Sequence, residues 1–182
     1  MTFKTSGEPP VHGNEVTGGE GDFLRPASFR GTFQVSESGL PVSVPLTVVN
    51  GNAYLRLPFS SSYIKVNLAK YGFPDPVNFF TSPGGLTAAF AKTAGLSYGG
   101  LARQGAATLW SVRGSLPDAV IAAALQMSRY ATDVRVDYLI NPRTGQLVAA
   151  SMKGPFFTAR QRTTVTIEFS DYGEKLSIRA PG

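Results

Sequence analysis

Residues 134–153 read VRVDYLINPRTGQLVAASMK, and this stretch decides the fold. Two β-rich runs, residues 134–140 and 146–153, flank a turn sequence at residues 141–145. Apolar and polar side chains alternate in the first run, which is the pattern of a strand with one buried face. The Asn-Pro and Thr-Gly pairs between the runs are typical of a turn. The stretch therefore predicts an antiparallel hairpin with one apolar and one polar face.

Short strands with similar patterns occur on both sides of this hairpin. The Asn-Gly pair at positions 50–51 lies between two β-rich runs, which is the strongest short-range signal for a hairpin. In that hairpin we expect Ala53, Leu55 and Leu57 to share one face. Residues 16–22 are mostly glycine and acidic residues, and they predict a loop or a poorly specified strand. The predicted strands cover residues 29–35, 42–49, 53–58, 106–112, 134–140, 146–153, 163–170 and 175–179.

The middle of the chain has helical patterns instead. Asp75 followed by Pro76 is typical of a helix N-terminus, with aspartate as the cap and proline as the first helical residue. Gly95 is expected to end the second helix. The predicted helices cover residues 76–80, 86–93 and 118–128. Strands, then helices, then strands favour an α+β fold in a single domain, in which the helices cover the apolar face of an antiparallel sheet.

The predicted helices are poor in side-chain volume, because alanine makes up much of residues 86–94 and 118–128. A close-packed interior must be filled to a density near 0.75. Slim helices over a wide sheet can leave an apolar hollow. Alternatively, the small residues let helix and sheet approach closely, and the core is filled. The residues alone leave both alternatives open.

Composition excludes several classes of site. The 182 residues include no cysteine and a single histidine, so thiolate metal sites and histidine clusters are excluded, and we expect no cofactor or metal. The formal charge is +5, but the basic residues are scattered rather than grouped with aromatic residues, so we expect no nucleic-acid partner. The longest apolar run, residues 119–125, is shorter than the roughly 18 residues of a membrane-spanning helix. No signal peptide follows Met1, so we expect a cytosolic protein or one whose targeting segment has been removed.

A Gly-x-Ser-x-Gly sequence at residues 95–99 has the spacing of a serine nucleophile elbow. The elbow requires a buried strand before the serine and a helix after it, whereas Ser97 follows a predicted helix. The only histidine that could act as its base is His12, in a stretch rich in glycine and proline. We therefore expect no catalytic residues and no enzymatic activity.

Four motifs in this order resemble the mycobacterial LppX/LprA/LprF/LprG lipoprotein family. They lie in residues 50–54, with an Asn-Gly-x-x-Tyr turn; 75–86, with Asp-Pro and then Pro-Gly-Gly-Leu; 135–150, with a Thr-Gly turn; and 169–181, with an aromatic-Gly-Glu-Lys sequence that ends on proline. The resemblance covers most of the chain, from about residue 32 to residue 181.

This resemblance implies a fold and a function. It implies a curved half-barrel of antiparallel strands with helices over its concave apolar face, as in the LolA/LolB carriers. It implies an extracytoplasmic protein of the cell envelope that binds acylated lipids or glycolipids in a hydrophobic cavity and transports or presents them. The membrane surface is then an expected partner and a membrane transporter is a candidate partner. This chain lacks the family's lipobox cysteine and signal peptide, and we expect it to begin beyond the family's first helix.

The expected walls of the lipid cavity are apolar residues of the strands and of the third helix. An ordinary packed core is the alternative role for each of them, and a structural or interaction module with a filled core is the alternative function. Arg160 and Arg162, beside Phe156 and Phe157, are candidates for contact with anionic headgroups, unless they belong to a solvated loop. The predicted wall residues are Phe33, Val35, Leu46, Val48, Leu55, Leu57, Leu125, Val134, Val136, Ile167 and Phe169.

Overall fold

The computed structural model describes residues 2–6, 14–37, 39–71, 75–81, 85–125 and 132–182. Within these ranges the strands are β1 Thr2–Ser6, β2 Asn14–Leu24, β3 Ser28–Glu37, β4 Leu40–Val49, β5 Asn52–Arg56, β6 Tyr63–Val66, β7 Ala94–Gln104, β8 Ala107–Leu116, β9 Val134–Ile140, β10 Leu147–Gly154 and β11 Thr163–Glu168. The helices are α1 Pro76–Thr81, α2 Leu86–Ala91 and α3 Asp118–Leu125, with a 3-10 turn at Leu68–Tyr71. The strands form one sheet in the order β6-β5-β4-β3-β2-β1-β11-β10-β9-β8-β7. The α+β class is confirmed, with eleven described strands instead of the roughly eight expected.

Strand β1 joins the two halves of the sheet. It is antiparallel to β2 on one side and to β11 on the other, so that Phe3 lies opposite both Gly19 and Ile167. Strands β2–β6 form a meander in one half, and β7–β11 complete the other. The sequence does not predict β1, because this five-residue segment has no extended apolar alternation and becomes a strand by hydrogen bonding to both neighbours.

Both predicted hairpins are confirmed. In the hairpin of β9 and β10, Tyr138 lies opposite Ala150, and Asn141 N donates to Gln146 O at 2.9 Å across the turn. In the hairpin of β4 and β5, Asn50 and Gly51 have φ values of 51° and 71°. These values are those of a type I′ turn, whose twist matches that of the flanking strands.

The helices begin where the sequence predicts but differ at their ends. Val77 N donates to Asp75 Oδ1 at 2.9 Å, so the predicted cap of α1 is confirmed. Helix α2 ends at Ala91, and Gly95 lies inside β7 with a φ of 61° rather than ending the helix. Residues 82–84, between α1 and α2, and residues 126–128, at the predicted end of α3, lie outside the described residues.

Two further predictions of strands have different outcomes. Of the two alternatives for residues 16–22 the strand is confirmed, because they belong to the eleven-residue strand β2, whose Gly19 and Gly21 lie against aromatic rings of β3. Residues 175–179 are not a strand. In a terminal hairpin they would pair with β11, but β11 already pairs with both β1 and β10, so neither of its edges is free.

The helices lie on one face of the sheet, which we call the inner face. One group of buried residues, the α2–α3 cluster, packs these two helices on β8–β11 and consists of Ala89, Leu116, Val120, Ile121, Val134, Val136, Tyr138, Ala150, Met152, Phe156, Val165 and Ile167. The other, the α1 cluster, lies on β3–β5 and consists of Phe29, Leu46, Val48, Ala53, Leu55, Leu68 and Val77. The core is therefore divided between the two halves of the sheet.

The sheet is curved where the hairpin of β7 and β8 ends. Gln104 Nε2 on β7 donates to Glu168 Oε1 on β11 at 3.2 Å, although three strands separate β7 from β11. In a flat sheet these two strands would be about 19 Å apart, which is farther than the two side chains can span. The end of the hairpin therefore bends towards β11.

Candidate functional site

Most of the predicted wall residues lie on the inner face, but they are divided between the two clusters. Leu46, Val48 and Leu55 belong to the α1 cluster, and Phe33 is partly buried against it. The residues in the α2–α3 cluster are Val134, Val136 and Ile167, with the partly buried Phe169 packed against it. Val35 is buried on β3 outside both clusters.

Two of the predicted wall residues have other outcomes. Leu57 is 45% exposed, and the expectation that it shares the face of Ala53 and Leu55 is wrong, because β5 ends at Arg56 and Leu57 lies in the following turn. Leu125 is the last residue of α3, and its side chain lies outside the described part of the structure. The wall role of all eleven residues stays a prediction.

Large apolar side chains remain exposed beside the α2–α3 cluster. We call them the apolar strip, which consists of Phe90 on α2, Leu96, Tyr98 and Leu101 on β7, and Trp110 on β8. Tyr98 and Leu101 are the most exposed members, at 64% and 67%. Contiguous exposed apolar surface of this kind is uncommon on soluble proteins and marks places where other molecules bind.

The strand register places the β7 and β8 members of the strip on the inner face. Leu101 lies opposite Trp110, which lies opposite Ile140, a residue packed against the α2–α3 cluster. Tyr98 lies opposite Val112, which packs against the same cluster. Because residues directly opposite each other in a sheet point to the same face, the strip continues the apolar inner face beyond the helices.

A buried contact of α2 connects the strip with the core. The rings of Phe90 and Tyr138 have centroids 4.7 Å apart, and the Thr93 and Tyr138 hydroxyls are 2.8 Å apart. Thr93 Oγ1 donates to Ala89 O at 2.9 Å, so the Tyr138 hydroxyl donates to Thr93. Burial raises the pKa of Tyr138 above its ordinary value. Tyr138 therefore holds the end of α2 on β9.

The Tyr138→Phe variant is expected to show a pH-dependent loss of stability. At pH 8 it loses one hydrogen bond, and its free energy of unfolding falls by about 1 kcal/mol. Tyrosine in the unfolded chain ionises near pH 10, and the folded pKa is higher, so the stabilisation by Tyr138 is complete below pH 10 and is lost as pH rises through the folded pKa. The difference between wild type and variant should shrink between pH 8 and pH 11 in urea titrations. An equal difference at both pH values would contradict the proposed environment of Tyr138.

The sequence did not predict β7 and therefore missed the strip. Gly95, Gly99 and Gly100 interrupt residues 94–104, and two irregularities shift the register between β7 and β8. The sequence signal that could have indicated β7 is the pair of apolar residues at alternate positions, Leu96 and Tyr98, followed by Trp110 in the next predicted strand. A hairpin of β7 and β8 placed from these residues would have put their side chains on one face.

Ser97 lies within β7, opposite Arg113, and is exposed. It does not occupy a turn from a strand into a helix, which is the geometry that makes a Gly-x-Ser-x-Gly serine nucleophilic. His12 lies outside the described residues. No position in the described residues holds three or more of His, Cys, Asp and Glu together as metal ligands would be.

The candidates for headgroup contact differ in their environments. Arg160 and Arg162 are both exposed, and Arg162 Nη2 donates to Asp133 O at 2.6 Å and to Lys153 O at 3.4 Å. Phe156 belongs to the α2–α3 cluster, and Phe157 is partly buried against it. Arg162 is therefore bonded to the ends of β9 and β10 while its side chain stays exposed to solvent, and the headgroup contact stays a prediction.

Across the described ranges, none of the helices combines the length and the apolar character needed to cross a membrane.

Comparisons with known proteins agree with this architecture. No curated protein matches the chain significantly. The crystal structure of LprF from Mycobacterium bovis is 16% identical and superposes with a TM-score of 0.72, over 99% of this chain and 87% of that one. The crystal structure of the Mycobacterium tuberculosis lipoprotein LppX is 14% identical and superposes with a TM-score of 0.66, over 98% of this chain and 87% of that one. The expected LolA-like half-barrel is thereby confirmed as the fold. Since the LppX_LprAFG lipoprotein family model matches residues 1–178, the chain belongs to that family.

Proposed function

We propose that this protein binds the acyl chains of a lipid on the inner face of its sheet and transports or presents that lipid in the cell envelope. The apolar strip is the observation that carries this proposal. Its five residues are exposed to solvent and lie next to the buried α2–α3 cluster on the inner face. A hydrocarbon chain that lies on them would therefore also contact the edge of that cluster.

The hydrophobic effect provides the free energy of binding. Each CH₂ group that leaves water contributes about 0.8 kcal/mol, so the free energy of binding grows with the length of acyl chain that leaves water. Removing Leu101 and Tyr98 from water adds to this, because they are more than half exposed in the absence of a ligand. No catalytic group is required, and the proposal assigns none.

Family membership supports an extracytoplasmic lipid-binding protein, since the family consists of lipoproteins and LppX is described as one. The proposed cargo is an acylated lipid or glycolipid of the cell envelope. A carrier of this kind collects its cargo at a membrane surface, and a membrane transporter is the proposed partner that delivers or receives it.

The second candidate function is a module that binds another protein through the same strip. The favouring observation is that β7 is an edge strand, with backbone groups free on one side to pair with another chain. Two irregularities in β7 disfavour such pairing, because bulges in edge strands oppose the addition of a further strand.

Native mass spectrometry tests the proposed function. The chain is produced in a mycobacterial host, purified without detergent and measured before and after extraction with organic solvent. We expect a mass excess that extraction removes, and fragments of acyl chains in the extract. A bare protein mass from this host, with no acyl lipid in the extract, would contradict the carrier and favour the protein-binding module.

A further inference from the structure

The face of the sheet opposite the helices, the outer face, carries a group of cations at one end of β9 and β10. Arg135 on β9 lies directly opposite Lys153 on β10, and Arg162 is bonded to the backbone beside them. These three side chains line a depression of about 320 Å³. We call Arg135, Lys153 and Arg162 the basic triplet.

Among the residues that the structure describes, two members of the triplet have no counter-ion. In the described part of the chain, the nearby carboxylates are already engaged: Asp133 accepts from Arg162 at 3.4 Å, and Asp137 accepts from Arg113 at 3.2 Å and from Ser111 at 2.8 Å. Arg135 and Lys153 are exposed and have no ion pair among the described residues. Like charges directly opposite each other in a sheet are destabilising, so this arrangement has a cost unless an anion is bound between them.

The surroundings of the triplet favour phosphate over a nucleic acid or an acyl chain. Ser115 on β8 and Thr164 on β11 are the cross-strand neighbours of Arg135 and Lys153, so hydroxyl side chains flank the cations. The neighbouring outer-face positions on β10 and β11, Ser151 and Thr166, are also hydroxyl-bearing. Nucleic-acid sites combine basic residues with aromatic side chains, and these neighbouring positions have none.

We infer that the basic triplet is a docking surface for the phosphate headgroups of an anionic membrane. This inference deepens the proposed function, because a carrier must approach a membrane to collect its lipid, and it assigns that contact to the outer face rather than to the apolar strip. Arg162, fixed by two backbone carbonyls, holds one cation in place, and the flexible Arg135 and Lys153 close on the headgroup. The region around the triplet has a formal charge of +2, out of +5 for the whole chain. It contains four cations and two carboxylates, which are Arg113, Arg135, Lys153, Arg162, Asp133 and Asp137.

The test uses co-sedimentation of the protein with vesicles of phosphatidylcholine, with and without phosphatidylglycerol. The Arg135→Gln/Lys153→Gln double variant is expected to bind the anionic vesicles about 30-fold more weakly than wild type, since each basic residue near an anionic surface contributes about 1 kcal/mol and 1.4 kcal/mol is tenfold. Wild-type binding should weaken as salt is raised, because the Debye length falls from about 10 Å at 0.1 M to about 3 Å at 1 M.

The Lys65→Gln/Lys70→Gln double variant is the matched control, because it removes the same charge from two exposed positions away from the triplet, one on β6 and one in the 3-10 turn. It should keep most of the binding to anionic vesicles. An equal loss in both double variants would show attraction by net charge alone and would overturn the inference. A third outcome combines two results: calorimetry shows that the protein binds inorganic phosphate, and the protein binds vesicles with and without phosphatidylglycerol equally well. This outcome would assign the depression to a small anion and would also overturn the inference.

A second readout separates this inference from the proposed function. The Arg135→Gln/Lys153→Gln variant should bind a fluorescent long-chain fatty acid in solution as tightly as wild type, since the triplet and the apolar strip lie on opposite faces. If vesicle binding falls while fatty-acid binding persists, the docking surface is supported. If the protein binds no fatty acid but still requires the triplet for vesicle binding, the proposed function fails and the docking surface stands.

Discussion

Replacing Leu101 by glutamate is expected to weaken the binding of a fluorescent long-chain fatty acid by at least about 30-fold. Leu101 is 67% exposed on the inner face, and an acyl chain on the apolar strip would bury it. Burying a leucine side chain contributes about 1.5–3 kcal/mol, and the glutamate would in addition have to lose its hydration beside the chain. A fluorescence titration of wild type and variant measures the ratio of the two dissociation constants.

The matched control is Leu40→Glu. Leu40 is 70% exposed at the start of β4, in the other half of the sheet, so the change in charge, size and exposure is nearly the same. Both variants should unfold within about 0.5 kcal/mol of wild type, as exposed substitutions usually do. If Leu40→Glu weakens binding as much as Leu101→Glu does, or if neither does, the apolar strip is not the lipid site.

Replacing Phe29 by alanine is expected to lower the free energy of unfolding by about 3–5 kcal/mol. Phe29 is completely buried in the α1 cluster, and its ring covers the backbone of two neighbouring glycines. A Cβ atom added to Gly21 or Gly31 would lie 2.6 or 2.7 Å from Phe29 Cζ. These two glycines have no side chains that could fill the cavity left by the ring, so both the transfer free energy and the packing of Phe29 are lost.

Phe59→Ala is the control for this substitution, because Phe59 is the fully exposed phenylalanine of the turn after β5. It should change the free energy of unfolding by less than about 0.5 kcal/mol. Urea titrations at one temperature measure both variants. A cost below about 1 kcal/mol for Phe29→Ala would mean that the α1 cluster does not stabilise its half of the sheet.

The two stability predictions concern different halves of the molecule. Phe29 tests the α1 cluster, and Tyr138 tests the contact of α2 with β9. Since β1 joins the halves by backbone pairing to β2 and β11, unfolding of one half also exposes an edge of the other. If each variant shows a single unfolding transition in its urea titration, the divided core still unfolds as one unit.

The local elements were largely predictable from sequence. The turns at residues 50–51 and 141–145 depend on a few residues whose backbone preferences act without help from the rest of the chain, as does the cap of α1 by Asp75. Alternation of apolar and polar residues assigned β9 for the same reason, and the turn after it placed β10 beside it. The predicted strands of the terminal hairpin show the limit of this reasoning, because pairing of residues 175–179 requires a free edge of β11 that the fold does not leave.

The candidate site was less predictable, because it depends on which part of the apolar face the helices leave uncovered. Sequence identifies Val134, Val136 and Ile167 as apolar face residues, and they are buried in the core. It does not indicate that Leu101 and Trp110, on a hairpin of which only β8 was predicted, share this face and stay exposed.

The amino-acid sequence by itself thus determined the strands with clear alternation, the tight turns, the helix starts and the α+β class, because each depends on neighbours within a few residues. Only the tertiary structure decided that β1 joins two halves, that the inner-face core is divided, that a strip of it stays exposed and that Arg135 meets Lys153. Each of these depends on pairing between residues distant in the chain, where the register of a strand fixes which side chains share a face.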